Sequence, residues 1–237
     1  MIRRLWQLDC LRGLAVLMML VSNFLFDLFY FTAVLNPASG FPAWLARSTA
    51  GLFVFLAGVS LSLSYARPTA RRQGFKKYLR RGAGIFALGM LITIATRLVV
   101  GRQYVVFGIL HLIGCGIILS YPFLKHRRFA LPAGLLILAA APFVGNLRAA
   151  SGWLLWLGVQ YPGFASVDYT PLVPWFGIML VGISLGGFIT TKPSSPMPPK
   201  RLIRMLAACG RHSLLIYFAH QPLLWTGFWI WQSLGTR

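Results

Sequence analysis

The chain has 237 residues, a mean hydropathy of +0.71, 57% hydrophobic residues and only 11% charged ones, a balance that excludes an ordinary soluble domain. Several apolar runs reach the ~20 residues that cross a ~30 Å hydrocarbon core. They are continuous rather than alternating, so they specify bundled helices and not a barrel. The net charge of +20 would suggest nucleic acid in a soluble chain. Here the charges sit between apolar runs, so the expected partner is the lipid bilayer and nucleic acid is not expected.

In chain order, the first span is predicted over about 11–31. An uncharged turn, AVLNPASGFP, leads to a second over about 45–66, whose Ala57, Gly58, Ser60, Ser62 and Ser64 permit close helix contact. The basic segment RPTARRQGFKKYLRR follows, then a third span over about 82–100 and a fourth over about 104–124, closed by Lys125, His126, Arg127 and Arg128. The fifth runs over about 129–147. The loop 148–170 contains WLLWLGVQY, too short to cross and suited to the interface or a dip into it. The sixth span covers about 171–189, with Gly182 and Gly186 as a close-packing pair. The Pro- and Ser-rich link TTKPSSPMPPKRLIR precedes a seventh over about 213–231.

With the N-terminus inside, the inner segments hold Arg3, Arg4, the seven cations after span two, the three after span four, and Lys192, Lys200, Arg201, Arg204 and Arg211. The outer side holds only Arg47, Arg97, Arg102, Arg148 and Arg237. The positive-inside rule then predicts a multi-pass cell-membrane protein, all-α, with about seven transmembrane helices, N-terminus inside and C-terminus outside, as a single domain over 1–237. The inner basic face serves topology and acidic lipid in one reading and an anionic cytosolic substrate in another. Cys10, Cys115 and Cys209 have unrelated spacings that suggest neither a disulfide framework nor a zinc site. The N-terminal run is too long for a signal peptide and has no small-x-small cleavage site, so it reads as a retained span.

Three acids in such a chain need reasons. Asp9 and Arg12, at the inner edge of span one, read as a structural ion pair. Asn23 and Asp27 share a helix face four residues apart. At ~1.5 Å per residue, Asp27 lies about 27 Å beyond Asp9, near the outer surface. His111, in FGILHLIG, and Asp168, just before span six, fall in the same outer half. A histidine with a carboxylate partner is the arrangement general-base catalysis uses, so His111, Asp168, Asp27 and Asn23 form the candidate catalytic set. The alternatives are a helix-to-helix hydrogen bond for His111 and a pairing with an outer arginine for Asp27. His220, in YFAHQP, could line an acyl path or be a satisfied interior histidine. His126 and His212 read as solvated, and Pro222 marks a kink.

The stretches LDCLRGLAVLMMLVSNFLFDL, FGILHLIG, DYTPLVPWFGIMLVGISLG and SLLIYFAHQPLL resemble, in order and number, the heparan-alpha-glucosaminide N-acetyltransferase catalytic-domain family found in small prokaryotic membrane proteins. The Asp-x-x-Arg-Gly opening is also similar to the wider transmembrane acyltransferase superfamily. That resemblance implies transfer of an acyl group, acetyl first, from cytosolic acyl-CoA to an acceptor such as a sugar hydroxyl or amine on the other side. Acyl-CoA would be a donor substrate and no cofactor would be permanently bound. Arg71, Arg72, Lys76, Lys77 and Arg80 are then candidates for the donor phosphates. One departure stands out. Where membrane O-acyltransferases place a histidine near the end of the first span, this chain has Asn23. The loop histidine of the lysosomal enzyme has no counterpart between Thr32 and Trp44. A carrier or channel for a small anionic or polar metabolite is the alternative function, and a structural or partner subunit packing through its small-residue faces is a third.

Overall fold

The computed structural model describes residues 5–33, 36–189 and 200–235. Arg3, Arg4, Lys192 and Arg237, used above for orientation, lie outside these residues, as does 190–199 of the Pro- and Ser-rich link. In chain order the helices are α1 (Trp6–Thr32), α2 (Gly40–Tyr65), α3 (Pro68–Arg72), α4 (Gly74–Val99), α5 (Ile109–Leu119), α6 (Tyr121–Lys125), α7 (Ala130–Asn146), α8 (Leu172–Ile189), α9 (Arg201–Arg211) and α10 (Ser213–Gly235). Among the described residues the only strand-like pairings are two isolated bridges, Phe107 with Tyr169 and Arg148 with Gln160.

Five stretches are long and apolar enough to cross a bilayer: α1, α2, α4, Arg127–Asn146 and α8. The pair α9–α10, bent by 82°, passes together and gives a sixth. The all-helical, multi-pass reading therefore stands with five or six candidate spans. The expected fourth span is where the number falls. Its first residues run extended, with Phe107 bridged to Tyr169. Helix α5 begins only at Ile109 and has 11 residues. It breaks at Ser120, just before Pro122, which has no amide hydrogen with which to continue the ladder. The third span departs in the opposite direction. Helix α4 starts at Gly74, so Lys76, Lys77, Arg80 and Arg81 ride on helix rather than in a loop.

The chain divides into two compact units, Met1–Phe53 with Pro193–Arg237, and Val54–Lys192. The second unit has a core of Leu61, Leu112, Ile117, Met179, Leu180 and Ile183, each at most 2% exposed. Hydrophobic burial gives lipid-embedded helices little reason to associate, so close backbone packing has to do so. Small residues supply it. Gly58 faces the Met179 carbonyl, Gly182 faces the Phe55 carbonyl, and Gly82 with Gly114 and Gly134 with Gly177 bring α4 to α5 and α7 to α8. The loop 148–170 is stitched to the approach to α5. Val167 donates to the Gln103 carbonyl at 2.9 Å and Thr170 to that of Phe107 at 2.8 Å. Within WLLWLGVQY, Leu155 and Val159 are buried while Trp153 is 84% exposed.

In the first unit, α1 packs on α9 and α10. Gly210 sits against the Asp9 carbonyl and Gly13 against that of Leu206. Farther along, Phe31 stacks on Phe228 with centroids 5.1 Å apart.

A methyl group tests this packing. At Gly182 it would meet the Phe55 carbonyl, whereas at Gly145 nothing lies within 4 Å. Gly182→Ala should therefore lower stability by about 1–3 kcal/mol, the usual scale of overpacking. Gly145→Ala should leave the unfolding midpoint in detergent unchanged.

Candidate functional site

In the first unit, Asn23 and Asp27 lie one turn apart on α1, and α10 answers both. Asn23 Nδ2 lies 3.1 Å from His220 Nε2 and also donates to the Met19 carbonyl at 3.1 Å. His220 Nδ1 lies 2.7 Å from the Tyr217 carbonyl. A carbonyl can only accept, so Nδ1 carries the proton. Nε2 is then bare, and its lone pair accepts a hydrogen from the Asn23 amide. Gln221 Nε2 donates to both Asp27 oxygens, at 2.9 and 3.2 Å, and Trp225 Nε1 donates at 3.2 Å. Asp27 is fully buried. Its partners are neutral donors rather than the outer arginine weighed from sequence. Gln221 Oε1 is buried without a partner.

His111 and Asp168, grouped with these residues in the sequence reading, belong to the second unit. His111 Nδ1 accepts the Gly108 amide hydrogen at 3.2 Å, and Nε2 lies 3.4 Å from Thr93 Oγ1. Thr93 in turn donates to the Val105 carbonyl at 2.8 Å. An amide can only donate, so Nδ1 is bare and Nε2 carries the proton, the opposite tautomer to His220. Asp168 Oδ2 accepts the Ile109 amide at 3.1 Å. It therefore caps α5, whose first amides have no partner within the helix. Gly108 makes room for it, since a Cβ there would overlap the carboxylate. Burial pushes the Asp168 carboxyl above the usual carboxylate range, with the Ile109 hydrogen bond opposing that shift. Burial likewise pushes the neighbouring Tyr169 phenol up to about 12, and its hydroxyl donates to the Leu155 carbonyl at 2.7 Å.

The candidate donor residues form a basic cluster in the second unit. Arg71 donates to the Tyr65 carbonyl at 3.2 Å and lies over its ring. Lys77 donates to Ser64 Oγ at 3.3 Å. Arg72, Lys76 and Arg80 are exposed. Sequence reasoning missed Arg127 as a member. It reaches in to donate to the Ser62 carbonyl at 3.3 Å, beside Gly187 of α8. The one acid of this unit, Asp168, is committed to α5, so the cluster has no carboxylate of its own. At the other end of the chain's chemistry, Arg12 Nη1 lies 2.8 Å from Asp9 Oδ1, with Asp9 buried.

A family model described as heparan-alpha-glucosaminide N-acetyltransferase, catalytic, matches residues 4–222. The chain belongs to that family. No curated protein and no solved structure matches it. Membership makes the chain a multi-pass membrane protein with an acetyltransferase-type domain. The matched stretch runs through both units and takes in Asn23, Asp27, His111, Asp168 and His220.

The cap makes a pH-dependent prediction. A carboxyl whose folded pKa exceeds the unfolded value of 3.8 binds its proton more tightly when folded, so it costs stability as pH rises through that interval. Asp168→Asn keeps an acceptor for Ile109 and removes the charge. Its unfolding midpoint should gain on the wild type between pH 4 and pH 7. Asp168→Ala loses the cap as well as the charge and should lie about 1 kcal/mol below Asp168→Asn at every pH.

Proposed function

We propose that the protein is a membrane acetyltransferase that takes its acyl group from acyl-CoA, acetyl-CoA first, and passes it to a hydroxyl or amine of a glycan-type acceptor, with His220 as general base. The observation that carries this reading is the His220–Asn23 pair. A neutral imidazole with its proton fixed on Nδ1 by a backbone carbonyl presents a basic Nε2, as proton abstraction requires. Asn23 stands where the resembling O-acyltransferases carry their histidine, and the last helix supplies the imidazole at that place. In the resting state the Asn23 amide occupies the lone pair. An acceptor O–H or N–H taking its place gives its proton to Nε2, and Asn23 Nδ2 is then free to hydrogen-bond the developing oxyanion. His111 and Asp168, the base and orienter in the sequence reading, are assigned instead to building the start of α5. Asp27 fixes α10 through Gln221 and Trp225.

The donor's phosphates would lie on Arg71, Arg72, Lys76, Lys77 and Arg80, with Arg127 behind them, because that cluster is basic and has no internal counter-charge. The orientation with the N-terminus inside puts this cluster on the cytosolic side, in a single acyltransferase domain over the whole chain.

Thermal unfolding in detergent tests the donor. Acetyl-CoA at ~100 times its Kd should add about 2.7 kcal/mol, ATP should add much less, and Arg71→Gln/Lys77→Gln should shrink the shift. His220→Gln should lower acetyl transfer by roughly 10²–10⁴-fold while leaving the acetyl-CoA shift intact. Near-normal turnover in His220→Gln would overturn its role. No acetyl-CoA shift in a cooperatively unfolding protein, together with saturable proteoliposome uptake without an acyl donor, would replace the enzyme with a carrier.

A further inference from the structure

Helix α9 takes part in none of the chemistry above, and its surface is unlike that of the other helices. Its 11 residues carry Arg201, Arg204 and Arg211, all exposed, and no acid. At ~100° per residue the helix divides into three strips. Ala207 and Gly210 are buried, and Gly210 seats on α1 against the Asp9 carbonyl. The three arginines form a second strip. Leu202 and Met205, 76% and 55% exposed, form the third.

The geometry fixes the attitude of this helix. Helix α10 has 23 residues, about 34 Å of helix, which matches a ~30 Å core in length, and it supplies most of the sixth candidate span. Helix α9 joins it at 82°. Where α10 crosses the bilayer, α9 therefore lies nearly in its plane. Its contact with Asp9 puts it at the end of α1, at the level of the Asp9–Arg12 ion pair.

We propose that α9 is an in-plane amphipathic helix that binds the acidic phospholipid headgroups of the leaflet at the Trp6 end of α1. Arginines pair well with phosphate through their forked donors, and α9 offers three and carries no acid of its own. The Leu202–Met205 strip selects a lipid over a soluble phosphate, because it needs an apolar neighbour that only the acyl boundary provides. Ordinary topology charges need no such strip and no glycine seat.

The test uses the full chain in neutral detergent. Its unfolding midpoint is followed with added phosphatidylglycerol, phosphatidylcholine of the same acyl chains, or inorganic phosphate. Phosphatidylglycerol should raise the midpoint beyond phosphatidylcholine, and phosphate should not raise it. Arg201→Gln/Arg204→Gln/Arg211→Gln should lose that excess, whereas Arg72→Gln/Lys76→Gln/Arg80→Gln should keep it. An excess retained by the α9 variant, or lost equally by both, overturns the proposal. Should the α9 variant fail to fold, a spin label at Leu202→Cys in phosphatidylglycerol nanodiscs decides. Greater accessibility to oxygen than to a soluble nickel chelate supports the in-plane helix, and the reverse overturns it.

Discussion

A carboxylate buried between helices has to be met by hydrogen-bond donors, because an unpaired ionisable group in a membrane interior is expensive. Asp27 of α1 meets that requirement with Gln221 and Trp225 of α10. Those two residues lie four apart and so project from one helix face, as Asn23 and Asp27 do on α1. Aligning the two faces sets the register of α10 on α1, and His220, adjacent to Gln221 in the chain, is brought to Asn23 as a result. The proposed base is thus held through a contact that touches no reacting atom. The stacked Phe31 and Phe228 hold the same register farther along.

The second unit solves a different problem with the same means. Its helices approach through glycine faces, and the start of α5 is enclosed by protein, so its free amides need acceptors from within. Asp168 and His111 supply them, one from a distant loop and one from the helix itself. Both residues are engaged by the backbone around the start of α5. Their partners are backbone amides, and Thr93 takes the remaining imidazole hydrogen.

Much of the fold was legible because its signals are local. The long apolar runs of α1, α2, α4, α7 and α8 announce themselves in any window of their length, and the Gly182–Gly186 face is visible from spacing alone. The start of the fourth span was not legible because hydropathy does not distinguish the extended residues before Ile109 from helix, and because the pairing that holds them, Phe107 with Tyr169, bridges distant segments. Helix α9 begins at the end of a link whose prolines and serines dominated the reading and continues past it, although Arg201, Arg204 and Arg211 already show its basic strip. At the site, the residue types were recognisable but not their partners. Asn23 and His220 are 197 positions apart, and nothing near either one names the other. Arg127 looked like one of several topology charges until the structure turned it inward to Ser62.

The chemistry rests on which ring nitrogen of His220 carries the proton, and that can be read directly. Nitrogen-15 spectra of histidine-labelled protein, with His220→Gln and His111→Gln used for assignment, report the tautomer of each ring at neutral pH. The account predicts a protonated Nδ1 and a bare Nε2 at His220, and the opposite at His111. A protonated Nε2 at His220 would contradict it, because Asn23 would then face a hydrogen instead of a lone pair and the resting site would hold no base.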